Sequence, residues 1–267
     1  MIPRVYKTEA IVLRGILLGE ADRILTLYSP WRGKVRAVAR GVRRPTSRLG
    51  GHVEPLIHGS YLLARGQELD VVTQGETIHS FPRLRDDLGS IGGGLYAAEL
   101  IYHSTSEGVE NYPLFRLLLD TLMRLDGEGS VELALRYFEL HLLGHLGYRP
   151  QLGRCVACQG ALPPTVNFFT ASGGGVLCPS CHPPESSVRR LSLNALKTLR
   201  FFQEKDWAQA SRLKVSPPLM AEIKGALREF ILYHLERELK STLFMDLVGG
   251  HGSAASGATV LRPAHGR

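Results

Sequence analysis

The sequence predicts an α+β chain in which a small β-barrel precedes a helical body carrying an inserted four-cysteine finger. Three observations carry that prediction. Apolar residues recur with a period of two over the first 82 residues and with the 3.6-residue period of helices from Arg85 onward. The four cysteines fall as two pairs, Cys155-Val156-Ala157-Cys158 and Cys178-Pro179-Ser180-Cys181, with 19 residues between them.

The first 82 residues divide into five short apolar runs, 8–18, 23–28, 34–41, 55–64 and 69–80, with Ser29-Pro30-Trp31-Arg32-Gly33 and Arg65-Gly66 as turns. Five strands suggest a small barrel. The five-stranded barrel that most often carries single-stranded nucleic acid is the OB-fold, on its second and third strands, and residues 1–82 are expected to form one.

Helices follow over an expected domain 83–248. In 113–125, Leu114, Leu117, Leu118, Thr121, Leu122 and Leu125 form an i, i+3, i+4 stripe, and Pro113 suits the first helical position. A second helix is expected over 131–146, capped by Ser130 and ended by Gly147 and Pro150. Ser192 caps a third over 193–203. Ser216-Pro217 opens a long fourth that carries Leu219, Ile223, Leu227, Phe230, Ile231, His234 and Leu235. The last residues, 249–267, are rich in Gly, Ala and Ser without apolar periodicity and are expected to be a disordered tail.

Within the helical part, residues 150–185 read as a zinc finger. A two-residue spacer lets both thiolates of a tight turn face one ion, so Cys155, Cys158, Cys178 and Cys181 supply the four soft ligands of a tetrahedral site. All four positions are then protein sulfur, so one Zn2+ per chain would hold structure rather than perform chemistry. Disulfides and a redox CxxC are the competing readings. Against the first, residues 1–7 lack an apolar signal core, and no stretch reaches the length of a membrane span. Against the second, the pairs flank turn residues, Pro163-Pro164 and Gly173-Gly174-Gly175, instead of opening a helix. The segment between, Val166-Asn167-Phe168-Phe169, the glycines, then Val176-Leu177, reads as a small hairpin.

The net charge is +7 and the isoelectric point near 9.4. A distributed surplus marks little more than a soluble surface, but here it is concentrated. Between Asp22 and Glu54 the sequence holds no acid, while Arg23, Arg32, Lys34, Arg36, Arg40, Arg43, Arg44 and Arg48 all lie in that window. Along the third strand the period of two sends Lys34, Arg36 and Arg40 to one face and Val35, Ala37 and Ala39 to the other. A flexible basic loop is expected over 41–51, bearing Arg43, Arg44 and Arg48. With no acid in the window to pair them, Lys34, Arg36, Arg40, Arg43, Arg44 and Arg48 are the candidate DNA contacts; the rival reading is a solvated strand face beside a mobile loop. Trp31 and Tyr28 sit near that face, where an aromatic either stacks on a base or fills a turn or core; Trp31 is the candidate for stacking.

Motifs of catalysis are missing from the sequence. There is no GxxxxGK[ST] loop and no GxSxG elbow. His141 and His145 share a helix face, but Leu142 stands where a metalloprotease helix has glutamate, and ordinary helix histidines are the better reading. Asp86-Asp87 reads as acids favoured at a helix start. The expectation is a protein that is not an enzyme.

Three segments together, Thr8-Glu9-Ala10-Ile11-Val12-Leu13-Arg14, Gly19-Glu20-Ala21-Asp22-Arg23-Ile24-Leu25 and residues Gly33 to Gly41, resemble the N-terminal domain of the bacterial RecO family. Leu146-Gly147-Tyr148-Arg149-Pro150-Gln151-Leu152 running into Cys155 is similar to the family's junction between helix and finger, and Lys240-Ser241 resembles its C-terminal helix end. Gln159 departs from the pattern by replacing the glycine that often follows the first CxxC; the tail has no counterpart. The resemblance implies a recombination mediator in DNA repair that binds single- and double-stranded DNA and anneals complementary strands without ATP. It further implies work with RecR, sometimes with RecF, to load RecA onto strands covered by single-stranded-DNA-binding protein, in the cytoplasm at the nucleoid. Two rivals remain: a zinc-stabilised adaptor whose barrel docks proteins, and a zinc nuclease or hydrolase, which would need an open metal position.

Overall fold

Residues 4–182 and 188–235 are described by the computed structural model. All five expected strands form: β1 (Val5–Leu18), β2 (Asp22–Ser29), β3 (Gly33–Ala39), β4 (His58–Ala64) and β5 (Asp70–His79). They close a barrel in the order β1-β2-β3-β5-β4, completed where β1 runs antiparallel to β4 from Val5↔Ala64 to Ile11↔His58. Closure removes most of the exposed sheet edge, and five strands in this order make an OB-like barrel.

In residues 10–13 of β1 a continuous apolar run replaces the alternation of a half-exposed strand. The reason is that both faces are buried. Ala10 and Val12 point into the barrel with Leu25, Leu27, Ala37, Tyr61 and Leu63. Ile11 and Leu13 point outward, with Tyr28 and Leu56, into the core of the helices. Each such side chain taken fully from water contributes roughly 1.5–3 kcal/mol, so the outer face of β1 is a strong bond between barrel and helices.

β3 meets β5 only at Ala37↔Asp70 and Val38↔Val71, which leaves the first half of β3 without a strand on that side. The loop between two helices fills the place: Lys34 bridges to Glu107, and the Gly108 N–H donates to the Lys34 carbonyl at 3.0 Å. Gly33 makes the approach possible. Its φ is +59°, and a Cβ there would lie 1.9 Å from the Val109 carbonyl oxygen, so no side chain fits.

The helices are α1 (Pro82–Asp86), α2 (Leu88–Ser104), α3 (Tyr112–Leu125), α4 (Val131–His145), α5 (Leu193–Glu204), α6 (Trp207–Ala210) and α7 (Pro217–Leu235). Two of the expected starts are capped as the sequence indicates, and a third cap appears at Asp87. Ser130 accepts from the Leu133 N–H, Ser192 from Ala195, and Asp87 from Ser90 at the head of α2. α4 ends in a Schellman turn: the Tyr148 N–H reaches the Leu143 carbonyl at 2.8 Å, and Gly147 takes φ +86°. α2 had no apolar stripe by which to delimit it, because Gly93 and Gly94 occupy positions where bulk is excluded. A Cβ on Gly94 would meet Leu56 at 2.8 Å, and one on Gly93 would meet Leu135 at 3.2 Å.

The finger has one strand more than the expected hairpin. β6 (Asn167–Thr170) pairs with β7 (Gly175–Leu177) on one side and with β8 (Arg189–Leu191) on the other. β8 leads into α5, and Phe169 packs on Phe230 of α7 with ring centroids 5.4 Å apart, so the finger is seated on the helices. Residues 183–187 of the finger, 236–248 with Lys240-Ser241, and the tail 249–267 lie outside the described residues.

The joint between barrel and helices also holds a titrating group. His58 is 2% exposed; its Nε2 lies 2.7 Å from Glu9 and its Nδ1 2.9 Å from His79. Burial holds the His58 imidazole below its ordinary value of 6.5, against the pull of the Glu9 carboxylate. The unfolded chain therefore takes up this proton first as pH falls, and the stability contributed by neutral His58 is present above about pH 6.5 and lost below it. His141 and His234, also lowered by burial, act with the same sign. The unfolding midpoint should fall between about pH 7 and pH 5, and His58→Gln should flatten that profile while lowering the midpoint at pH 7. An unchanged slope in the variant would remove His58 from the account.

Candidate nucleic-acid interface and metal centre

The two CxxC turns bring their sulfurs together as the spacing requires. The Sγ atoms of Cys155, Cys158, Cys178 and Cys181 all lie within 4.8 Å of one another, and Cys158 and Cys178 are 3.9 Å apart. Four thiolates about 2.3 Å from one ion stand about 3.8 Å apart, whereas a disulfide needs about 2.05 Å; the cluster fits a zinc site and contains no disulfide. Burial works against the Cys155 thiolate, but N–H groups of Cys158, Cys178 and Ala157 directed at its sulfur outweigh burial and bring the thiol down to about 6. Cys181, crowded by the sulfurs of Cys178 and Cys158, is pushed up to about 12. Thiols this close cannot all ionise unless a cation joins them, and the chemistry of the donor set is that of a metal ligand cage.

The backbone at Gln159 is one that the glycine of the family pattern adopts more easily. The first turn closes with the Gln159 N–H donating to the Cys155 carbonyl at 2.9 Å, and this requires φ +59° at Gln159. A side chain in the left-handed region costs about 1 kcal/mol that glycine avoids. Gln159→Gly should therefore raise the stability of the finger by about 1 kcal/mol in denaturant unfolding. A loss of stability would mean that the bond from its amide to the Val156 carbonyl, 3.2 Å, outweighs the backbone term.

The candidate DNA residues are spread along β3 towards both ends of the barrel. β1 runs antiparallel to both β2 and β4, so the start of β1 and the ends of β2 and β4 lie at one mouth of the barrel. The end of β1, the start of β2 and the end of β3 lie at the other. Lys34 and Arg36 belong to the first mouth; Arg40, Arg43, Arg44 and Arg48 belong to the second, Arg40 being roughly 20 Å from Lys34 and roughly 13 Å from Arg36 along β3. At the second mouth all four arginines are exposed. Their loop is pinned: the Gly41 N–H donates to Asp22 at 2.7 Å, the Arg43 N–H to the Ala21 carbonyl at 3.0 Å, and the Arg43 guanidinium to the Glu20 carbonyl at 2.9 Å.

At the first mouth the supposed absence of acids is corrected by tertiary structure. Arg36 stands 3.8 Å from Glu107 of the α2–α3 loop, and at the second mouth Arg23 is paired with Glu54 at 2.6 Å. The Lys34 ammonium donates to the Tyr102 carbonyl at 2.6 Å and lies 4.7 Å from the centre of that ring, so Lys34 also ties the barrel to α2. Tyr28 leaves the stacking candidates altogether, because it is fully buried against the helices and its phenol is pushed up to about 12 by that burial. Trp31 remains 65% exposed, with one face stacked on Tyr112 at 4.9 Å and 18°.

Two family models divide the chain between them, the Recombination protein O N-terminal model at residues 1–81 and the C-terminal model at residues 85–243. The chain belongs to the RecO family. The RecO proteins similar to it include the DNA repair protein RecO of Roseiflexus sp. (strain RS-1), 43% identical over 246 residues, which cover 92% of this chain and 87% of that one. That of Pelotomaculum thermopropionicum is 43% identical over 255 residues, covering 96% and 98%. That of Dehalococcoides mccartyi strain BAV1 is 40% identical over 244 residues, covering 91% and 96%.

In this RecO-family chain the first mouth holds residues that strand periodicity passed over. Arg32 and Arg65 both lie over the Tyr6 ring, at 4.1 and 5.2 Å from its centre, and Tyr6 is hydrogen-bonded through its hydroxyl to Asp70. Both arginines precede a glycine in a turn, Arg32-Gly33 after β2 and Arg65-Gly66 after β4. That was the available signal, since β2 and β4 both run antiparallel to β1 and the turns that follow them open at the same end. His141 has an ordinary helix role: its Nε2 meets the Phe202 carbonyl at 2.9 Å.

Proposed function

We propose that this chain is a DNA-binding recombination mediator. It binds single- and double-stranded DNA through Arg36, Arg40, Arg43, Arg44 and Arg48 on the barrel, with Lys34 divided between DNA and its contact to Tyr102. It anneals complementary strands without ATP and, with RecR and in some settings RecF, helps load RecA onto strands covered by single-stranded-DNA-binding protein. It acts in the cytoplasm, at the nucleoid. The observation that carries this reading is the closed OB-like barrel with guanidiniums exposed at both ends of β3, in a chain of a DNA repair family.

Annealing by such a surface needs only that phosphate repulsion between two strands be screened while bases stay free to pair. Nucleotide hydrolysis has no part in it, and no reaction is catalysed on a substrate. One Zn2+ on Cys155, Cys158, Cys178 and Cys181 would orient the finger. With four protein sulfurs it leaves no coordination place for water, which counts against the hydrolase reading.

The test is annealing of complementary oligonucleotides, one of them labelled, with and without the protein. Pairing should be accelerated, equally in the presence and absence of ATP and without cleavage of either strand. Acceleration that requires ATP, or binding that is insensitive to salt, would turn the reading towards the protein-docking adaptor.

A further inference from the structure

At the first mouth a groove of about 430 Å³ runs between the start of β3, the β4–β5 turn and the α2–α3 loop. Its floor is Tyr6, and over that ring lie Arg32 and Arg65. Among the described residues neither guanidinium forms an ion pair, so both are held by an aromatic face while their N–H edges stay available. An arginine fixed in this way presents planar donors to a phosphate at little cost in side-chain entropy. Arg36 adds a third guanidinium, engaged only loosely by Glu107 at 3.8 Å.

The rim of the groove is Trp31. Tyr112, from the first turn of α3, backs one face of the indole, yet Trp31 is 65% exposed, so its other face is open. The backing fixes the ring, which is what a stacking platform needs. The groove also carries acceptors, Gln67 and Glu68 in the β4–β5 turn, that a bare phosphate would not use but a base N–H group, such as N3–H of thymine, can. Donors for a phosphate, acceptors for a base edge and an open aromatic face thus line one groove.

From this we infer that the groove is a subsite for one unpaired nucleotide of a DNA strand, with the base on the open face of Trp31 and the phosphate on Arg32 and Arg65. The inference rests on the DNA-binding reading above and adds to it a means of telling strands apart. Bases of a duplex have both faces covered by their neighbours and cannot reach the indole, so the stacking contribution belongs to single strands alone. The subsite is composite: the barrel supplies the arginines and the indole, and the helical body supplies the tyrosine that fixes the indole.

Fluorescence anisotropy with three labelled probes of one length tests it: oligo-dT, the same chain with abasic sites, and a blunt duplex. Wild-type protein should bind oligo-dT more tightly than the abasic chain by roughly 5- to 150-fold, the range of one base stacked on an aromatic. Trp31→Ala should erase that ratio and leave affinity for the abasic chain and the duplex within about twofold, and Trp31→Phe should restore most of it. Tyr112→Ala should reduce the ratio in part. An unchanged ratio in Trp31→Ala, or an equal loss on all three probes, overturns the subsite. If wild-type protein binds the three probes alike and with steep salt dependence, DNA binding stands and the subsite falls; if it binds none, both fall.

Discussion

A Cys155→Ser variant is expected to emerge from purification without its metal and with the finger unfolded, while the barrel remains folded. Strands β6 and β7 have four and three residues, too few to be stable by themselves, and the small apolar cluster around them includes Cys155 and Cys178. Structural zinc contributes on the order of 10–16 kcal/mol to folding of isolated fingers, more than any other single group here. Cys178→Ser should behave alike. The barrel has a separate core of residues such as Val12, Leu25, Leu27 and Leu63, so the damage should stop short of it. Metal analysis should read one zinc per wild-type chain and close to none in either variant, and limited proteolysis should open the finger first. Metal at full stoichiometry in both variants, or none in wild-type protein purified without chelator, would dismiss the four-thiolate site.

The second large effect is on DNA affinity. Changing Arg36, Arg40 and Arg44 together to Ala removes contacts from both mouths of the barrel, and each lost phosphate contact lowers the slope of log affinity against log salt by about 0.7–0.9. The triple variant should therefore bind every sequence more weakly, with a slope shallower by about 2 to 3. The control must remove equal charge from side chains without structural duties. Arg189 and Arg200 are unsuitable, since the first pairs with Glu229 at 3.2 Å and the second donates to the Leu152 carbonyl at 2.7 Å. Arg190, Arg212 and Lys214, all exposed on the helical side, are the better set. Equal weakening by both triples would reduce the attraction to general basicity, and weakening by the control alone would move the DNA site to the helices.

The four-cysteine cluster and the barrel strands were legible because their signals are local. A two-residue spacer between cysteines is a statement about one turn, and alternation such as Lys34-Val35-Arg36-Ala37 is a statement about one strand; neither needs to know what lies across the molecule. The same holds for Ser130 and Ser192, whose capping bonds span three residues. Less local features failed in proportion. α2 was indistinct because its glycines answer to Leu56 and Leu135 in other elements, and β8 because a three-residue strand is defined only by its partner β6.

The site divides along the same line. By itself the sequence determined which residues are basic, which face of β3 they take and which four sulfurs come together, since period and spacing decide these within a few residues. Only the tertiary structure decided that Lys34 is tied to Tyr102, that Glu107 reaches Arg36 from 71 positions along the chain, that Tyr28 is shut inside and that Arg32 and Arg65 share Tyr6. Those facts follow from the closure of β1 on β4 and from the helices packing on the outer face of β1. Closure of this kind is driven by nonpolar burial that no local window contains.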